Sequence, residues 1–60
     1  MELARVFDGK KFMWDGKEYE GEAESRGQEQ HYRELGFEVR SLAEAGKYYL
    51  FTRRVVSAMG

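Results

Sequence analysis

Two Asp-Gly pairs, Asp8-Gly9 and Asp15-Gly16, restrict the fold of this chain more than any other feature of its sequence. Each pair lies between aromatic residues, in the run from Val6 to Tyr19. An Asp-Gly pair between alternating apolar residues favours a two-residue hairpin turn of type I′, because both central positions of that turn need a positive φ. The first third of the chain is therefore predicted to be a β-meander.

The two turns also predict which side chains share a face of the meander. One face would be mainly aromatic and the other more polar. The aromatic face would carry Leu3, Phe7, Phe12, Trp14 and Tyr19, and the other face Ala4, Val6, Lys11, Met13, Glu18 and Glu20. We expect the aromatic face to be the core side, with Trp14 in the core rather than at the rim of a pocket.

The stretch after Gly21 is predicted to be a helix over residues 22–35. Acidic residues lie in its first turn, where the helix dipole favours them, and Gly36 suits the position after its end. Gly27 inside the helix predicts a close approach to the sheet, with a tolerated surface glycine as the alternative. The stripe expected to face the sheet consists of Ala23, Gly27, Gln30 or His31, and Leu35.

Two β-prone stretches follow the helix. Residues 37–41 alternate apolar and polar side chains, residues 42–46 are predicted to be a loop, and residues 47–56 carry aromatic residues on both faces. Residues 57–60 are predicted to be a frayed tail. The sequence thus predicts one α+β domain over residues 1–60: a small antiparallel sheet of a β-meander and a C-terminal hairpin, ββ(β)αββ, with the helix packed on one face.

Composition argues against several functional classes. The chain has 60 residues, no cysteine and one histidine, His31, which we expect to be a structural or surface residue. We find no phosphate-binding glycine loop and no pattern of a nucleophile with a base, so we expect no enzyme activity, no cofactor and no metal site. No apolar run approaches the roughly 20 residues that cross a bilayer. Together with the absence of cysteine and of a signal-like stretch, this predicts a cytoplasmic protein without membrane contact.

Function is expected on the sheet face that the helix leaves uncovered. Residues 18–38 carry a net charge of −5 and residues 39–60 a net charge of +3, so the C-terminal hairpin is basic. The candidate binding surface combines aromatic and cationic side chains: Arg40, Tyr48, Tyr49, Phe51, Arg53 and Arg54. The sequence does not decide which of Tyr48 and Tyr49 is buried.

Two kinds of partner fit this candidate surface. A protein partner or a second copy of the chain, forming a homodimer, would cover an apolar face or an unpaired sheet edge. The alternative is a nucleic-acid-binding accessory protein, in which tyrosines stack on bases and arginines neutralise phosphates. A steep loss of affinity with salt would indicate nucleic acid. No small-molecule substrate is indicated.

Two stretches, YRELGFEVR at residues 32–40 and KYYLFTRR at residues 47–54, carry a resemblance to a known class of proteins. With an aromatic-Asp-Gly-Lys-x-Tyr hairpin ahead of an acidic helix, the chain resembles short uncharacterised ββαββ proteins of hyperthermophilic archaea. The charged content of 35% also suits a thermophile. The resemblance implies a cytoplasmic domain of this topology and implies no activity and no catalytic residue.

Overall fold

The computed structural model describes residues 3–55. Along the chain the elements are β1 (Ala4–Phe7), β2 (Lys10–Trp14), α1 (Glu22–Glu34), β3 (Phe37–Glu44) and β4 (Lys47–Arg54). The four strands form one antiparallel sheet in the order β1-β2-β4-β3. The predicted α+β class is confirmed. The predicted tail at residues 57–60 lies outside the described residues.

Two hairpin turns have positive φ at both central positions, as type I′ turns require. Asp8 and Gly9 have φ values of 52° and 76°, which confirms the first predicted turn. The second such turn is Ala45-Gly46, with φ values of 53° and 78°. The predicted loop at residues 42–46 is therefore wrong, because β3 continues to Glu44 and pairs there with Lys47. Alanine rarely adopts a positive φ, so the residue types at Ala45-Gly46 indicate this turn only weakly.

Asp15-Gly16 is not a hairpin turn, which corrects the predicted third strand of the meander. Trp14 pairs with Phe51 of β4, and the Asp15 amide donates to the Leu50 carbonyl at 3.1 Å. Tyr19 forms a single antiparallel bridge to Tyr48 instead of opposing Phe12. The strongly β-prone β4 thus pairs with the edge of β2 at which the third strand of the predicted meander would have paired.

Helix α1 begins and ends close to the predicted positions, but it presents a different stripe to the sheet. Leu35 is its C-cap and Gly36 follows with a φ of 96°. Ser25 is buried and Tyr32 is half-buried, whereas the residues of the predicted stripe are exposed: Ala23, Gly27, Gln30, His31 and Leu35. The buried Ser25 hydroxyl donates to the Glu22 carbonyl at 2.9 Å, so its polarity is satisfied within the helix.

The sheet has a hydrophobic cluster on each face. The helix-side cluster lies between α1 and strands β3 and β4, and consists of Tyr19, Val39 and Leu50 with Tyr32, Phe37 and Tyr48 packed against them. The far-side cluster lies on the opposite face and consists of Phe12, Tyr49 and Phe51 with Phe7, Trp14 and Leu42 packed against them. The aromatic face of the β1–β2 hairpin is thus a core side, as predicted for Phe7, Phe12 and Trp14, although the helix covers the opposite face. The prediction is wrong for Leu3, which is 68% exposed, and for Tyr19, which lies in the helix-side cluster.

Curling of the sheet buries the far-side cluster without a helix. The Phe7 ring lies 5.3 Å from the Phe12 ring and 5.8 Å from the Phe51 ring, although β2 separates the strands of Phe7 and Phe51. In a flat sheet those strands would be about 10 Å apart. The face predicted to be open is thus largely filled by the chain's own aromatic rings.

Gly27 offers a direct test of how α1 packs. A Cβ atom built at Gly27 would have no atom within 4 Å, so the predicted close approach to the sheet is wrong and the glycine lies on the helix surface. We expect Gly27→Ala to raise the free energy of unfolding by about 1 kcal/mol, the difference in helix propensity between the two residues. Urea unfolding of the two proteins measures it. Gly36→Ala is the control and should destabilise, because Gly36 has a φ of 96°. A loss of stability in Gly27→Ala would contradict the exposed position.

Candidate interaction surface

The predicted binding residues do not share one face of the sheet. Neighbouring residues of a strand point to opposite faces, so Tyr49 lies in the far-side cluster and Tyr48 in the helix-side cluster. Tyr49 is the buried member of the pair, and Tyr48 is half-buried. Phe51 is 0% exposed and offers no ring for stacking. The predicted aromatic platform is therefore absent from the described surface, because its rings fill the two clusters.

The arginines of the predicted surface are also divided between the faces. On the far side, Arg40 forms an ion pair with Asp8 and lies 6.0 Å from the centre of the Phe12 ring. Arg53 forms an ion pair with Glu38 at 2.8 Å. Arg54 lies on the helix side, 5.9 Å from the centre of the Phe37 ring. Acidic neighbours thus offset two of the three charges that would have met phosphates.

Trp14 and His31 have different surroundings. Trp14 is half-buried at the border of the far-side cluster, 6.1 Å from the Tyr49 ring, and its indole N–H donates to the Lys17 carbonyl at 3.0 Å. Trp14 was expected in the core, and the structure places it at the border of the core instead. His31 is exposed on α1, and its ring lies 6.4 Å from the Tyr32 ring.

A polar cluster that the sequence did not indicate joins the loop, the helix and the sheet. Asp15 Oδ2 accepts hydrogen bonds from the Tyr19 hydroxyl at 2.6 Å and the Tyr32 hydroxyl at 3.1 Å. Asp15 Oδ1 accepts from the Lys17 amide at 3.0 Å. The sequence predicts only a turn role for Asp15, because Tyr32 lies 17 positions away and a local pattern does not reveal the contact.

This Asp15 cluster predicts a loss of stability at high pH. Burial, followed by the hydrogen bond and the charge of Asp15, raises the pKa of Tyr19 well above its ordinary value. Burial and the nearby Asp15 charge also raise the pKa of Tyr32. Because both pKa values are higher in the folded state, the stability they contribute is fully present below the unfolded pKa of about 10. It is lost as the pH rises from there through the folded pKa values.

Urea unfolding at a series of alkaline pH values measures this loss. We expect the unfolding midpoint of the wild-type protein to fall as the pH rises above about 10. The double variant Tyr19→Phe/Tyr32→Phe should be less stable at neutral pH, because it loses both hydrogen bonds to Asp15. Its unfolding midpoint should fall less steeply with pH, because these two phenols no longer titrate. Equal slopes in the two proteins would contradict the role of these tyrosines.

The outer edge of β3 is the longer of the two edges of the described sheet. β3 and β1 are the outer strands, with eight and four residues. The Ala45-Gly46 turn makes Glu44 and Lys47 a hydrogen-bonded pair, and such pairs alternate along an antiparallel ladder. The bond from the Val55 amide to the Gly36 carbonyl, at 3.4 Å, fits the same alternation. The residues whose N–H and C=O groups point outward are therefore Phe37, Val39, Ser41 and Ala43.

A groove accompanies this edge. Its volume is about 360 Å³, and it is lined by Arg33 of α1 and by Phe37, Glu38, Val39 and Arg40 of β3. Since consecutive strand residues point to opposite faces, four of them can line one groove only where it follows the outer edge of the strand. We call this feature the β3 edge groove.

The β1 edge is shorter and more apolar. Val6 is 69% exposed and Met13 is 49% exposed, and both lie on the helix side of the sheet. The contacts of α1 are concentrated on β3 and β4, so these two side chains lie beyond its cover.

No protein-family model, curated protein or solved structure matches this chain. The resemblance to archaeal proteins therefore stays a prediction. Among residues 3–55, no helix is long and apolar enough to cross a membrane. Within the same range, no three histidine, aspartate or glutamate side chains are grouped as a metal site would require.

Proposed function

We propose that this protein is a non-enzymatic interaction module that binds another polypeptide by strand addition at the β3 edge. The observation that carries the proposal is an outer strand of eight residues, with its outward backbone groups at four alternate positions and a groove beside it. In strand addition, main-chain hydrogen bonds supply affinity, and pockets for alternate side chains supply specificity.

The β3 edge lacks several of the devices that prevent strand addition. Sheet edges are commonly protected by proline, by bulges or by very short strands. The chain contains no proline, and β3 pairs with β4 without interruption from Phe37 to Glu44. The partly buried Phe37 and the buried Val39 form an apolar floor for the groove, while Glu38 and Arg40 provide charges beside it. This combination suits an extended peptide better than a nucleic acid.

Nucleic acid is less favoured, because the surface predicted for it is divided between two faces. Arg40 and Arg53 are ion-paired with Asp8 and Glu38, and the Phe51 ring is buried. Titration with pooled RNA and DNA, followed by amide NMR, tests this alternative. Shifts at Arg40 and Arg53 that disappear as the salt concentration rises would favour nucleic acid over a peptide.

Selection from a displayed library of random peptides tests the proposed function. We expect the wild-type protein to select extended peptides rich in β-prone residues, which should shift the amide signals of β3. Ser41→Pro removes an outward N–H and places a ring at the edge, so it should weaken binding about tenfold or more. Ser41→Val keeps the N–H group and is the matched control, which should bind as the wild type does.

Two results would contradict the proposed function. One is a selection that yields no peptide binding at β3, from a protein that also shows no self-association. The other is peptide binding that Ser41→Pro leaves unchanged while the fold of this variant, checked by circular dichroism, is intact.

A further inference from the structure

We infer that the occupant of the β3 edge is a second copy of this chain, paired antiparallel about a two-fold axis at Val39. The inference rests on the proposed function and names the partner for the same edge. It would join two four-stranded sheets into one continuous sheet through β3 of each copy.

The backbone of β3 provides the hydrogen bonds for this pairing. With a two-fold axis perpendicular to the sheet, the helix side of one copy is continuous with the helix side of the second copy. Residues that are directly opposite one another therefore belong to the same face. With Val39 opposite Val39 of the second copy, the outward N–H and C=O groups of Phe37 bond to those of Ser41 of the second copy. Those of Ser41 bond to Phe37 of the second copy in the same way. Three hydrogen-bonded pairs result, with about six bonds between the chains.

The charges of β3 select this register because they are self-complementary. Glu38 is placed opposite Arg40 of the second copy, and Arg40 opposite Glu38 of the second copy. These are positions without backbone bonds between the copies, where the Cα atoms are about 4.5 Å apart and side chains lie closest. Opposite charges across strands are stabilising there. Each side chain would share its charge with the partner it already has in its own chain, Arg53 for Glu38 and Asp8 for Arg40.

The neighbouring registers are less favourable. Centring the pair on Arg40 gives four outward pairs but places Arg40 opposite itself, and centring it on Ser41 gives three but places Glu38 opposite Glu44 of the second copy. Centring it on Leu42 matches Arg40 with Glu44 but leaves two outward pairs instead of three. The Val39 register is thus the one that combines three outward pairs with matched charges.

The β3 edge groove lies beside the proposed contact, where it is lined by Phe37, Glu38, Val39 and Arg40. Val39 at the centre of the proposed contact is 6% exposed and lies on the helix side, while Glu38 and Arg40 point to the far side. Arg33 of α1 also lines the groove and is itself exposed. Pairing would also enlarge the buried surface of a chain whose length limits its own core.

A pair of charge-reversal variants tests the inference. Glu38→Arg makes both facing positions basic, and Arg40→Glu makes both acidic, so each variant alone brings like charges together twice. Sedimentation equilibrium from micromolar to millimolar protein should show a dimer of the wild type and dissociation constants about tenfold higher for each variant. An equimolar mixture of the two variants should restore dimerisation, because the facing charges are then opposite.

The mixture also separates the interface from the fold. Each variant loses an ion pair within its own chain, Glu38 with Arg53 or Arg40 with Asp8, and mixing does not return it. Recovery in the mixture therefore reports contacts between chains. Lys11→Glu, which changes the net charge as Arg40→Glu does at an exposed position on β2, is the control and should dimerise as the wild type does.

The outcomes distinguish this inference from the proposed function. If the wild type is a monomer at millimolar concentration and selected peptides still bind at β3, the inference of a homodimer is wrong. The proposed peptide-binding function is then unaffected. A dimer that Ser41→Pro does not weaken, or that the mixture does not restore, also overturns the inference. Absence of both self-association and peptide binding at β3 overturns the two proposals together.

Discussion

Replacing Phe51 with alanine is expected to lower the free energy of unfolding by about 3–5 kcal/mol, the usual range for a buried phenylalanine. The side chain is 0% exposed, and its ring lies 5.8 Å from the Phe7 ring in the far-side cluster. The hydrophobic core of a domain of this size rarely supplies more than about 3–5 kcal/mol of stability. We therefore expect Phe51→Ala to leave much of the protein unfolded at 25 °C, although no helix within residues 3–55 covers this face.

Urea unfolding of matched variants measures this effect. Leu50→Ala removes the neighbouring 0% exposed side chain from the helix-side cluster and should cost about 2–5 kcal/mol. Val6→Ala, at a side chain that is 69% exposed, should change stability by no more than about 0.5 kcal/mol. If Phe51→Ala does not fold, Phe51→Leu leaves a smaller cavity and keeps the comparison measurable. A change at Phe51 as small as that at Val6 would mean that the far side is open.

Local sequence signals predicted the elements that depend on local interactions. The Asp8-Gly9 turn and the end of α1 before Gly36 follow from residues that tolerate a positive φ. Aromatic residues on both faces of the last strand were also predicted, and the structure places them in two clusters. These features need no knowledge of which strands become neighbours.

The pairing of β2 depends on distant residues, and there the local signal failed. Asp15-Gly16 is as suitable for a hairpin as Asp8-Gly9, but β2 has one remaining side and β4 takes it through Met13 and Trp14. The rotation of α1 was equally hidden, because the helix has few bulky apolar residues. Helix α1 turns Tyr32 toward the sheet, where it contacts Phe37 and Asp15. The spacing of apolar residues along the helix did not predict this orientation.

The candidate surface could have been predicted better in one respect. The period of two along a strand already separates Tyr48 from Tyr49 and Arg53 from Arg54, so these pairs could not form one platform. The position of β3 at the edge of the sheet is different, because it follows from the strand order β1-β2-β4-β3. That order depends on β2 pairing with β4, which no local pattern specifies.

Asp15→Ala is expected to be the second strongly destabilising substitution, lowering the free energy of unfolding by about 2–3 kcal/mol. Hydrogen bonds to a charged group contribute about 1.5–3 kcal/mol each, and partial exposure of Asp15 reduces that value here. The substitution removes the acceptor of both the Tyr19 and the Tyr32 hydroxyls. Tyr19 is 5% exposed, so its hydroxyl would be left poorly paired within the fold.

A double-mutant cycle shows whether this loss comes from the two phenols. In the Tyr19→Phe/Tyr32→Phe background the hydroxyls are absent, so adding Asp15→Ala should cost less than half of what it costs in the wild type. Asp15→Asn keeps an acceptor oxygen but loses the charge, and it should lie between wild type and Asp15→Ala. An equal loss in both backgrounds would assign the effect to the Lys17 amide bond and the turn alone. The expected coupling would instead make Asp15 the residue whose side chain joins the loop after β2 to helix α1 through Tyr19 and Tyr32.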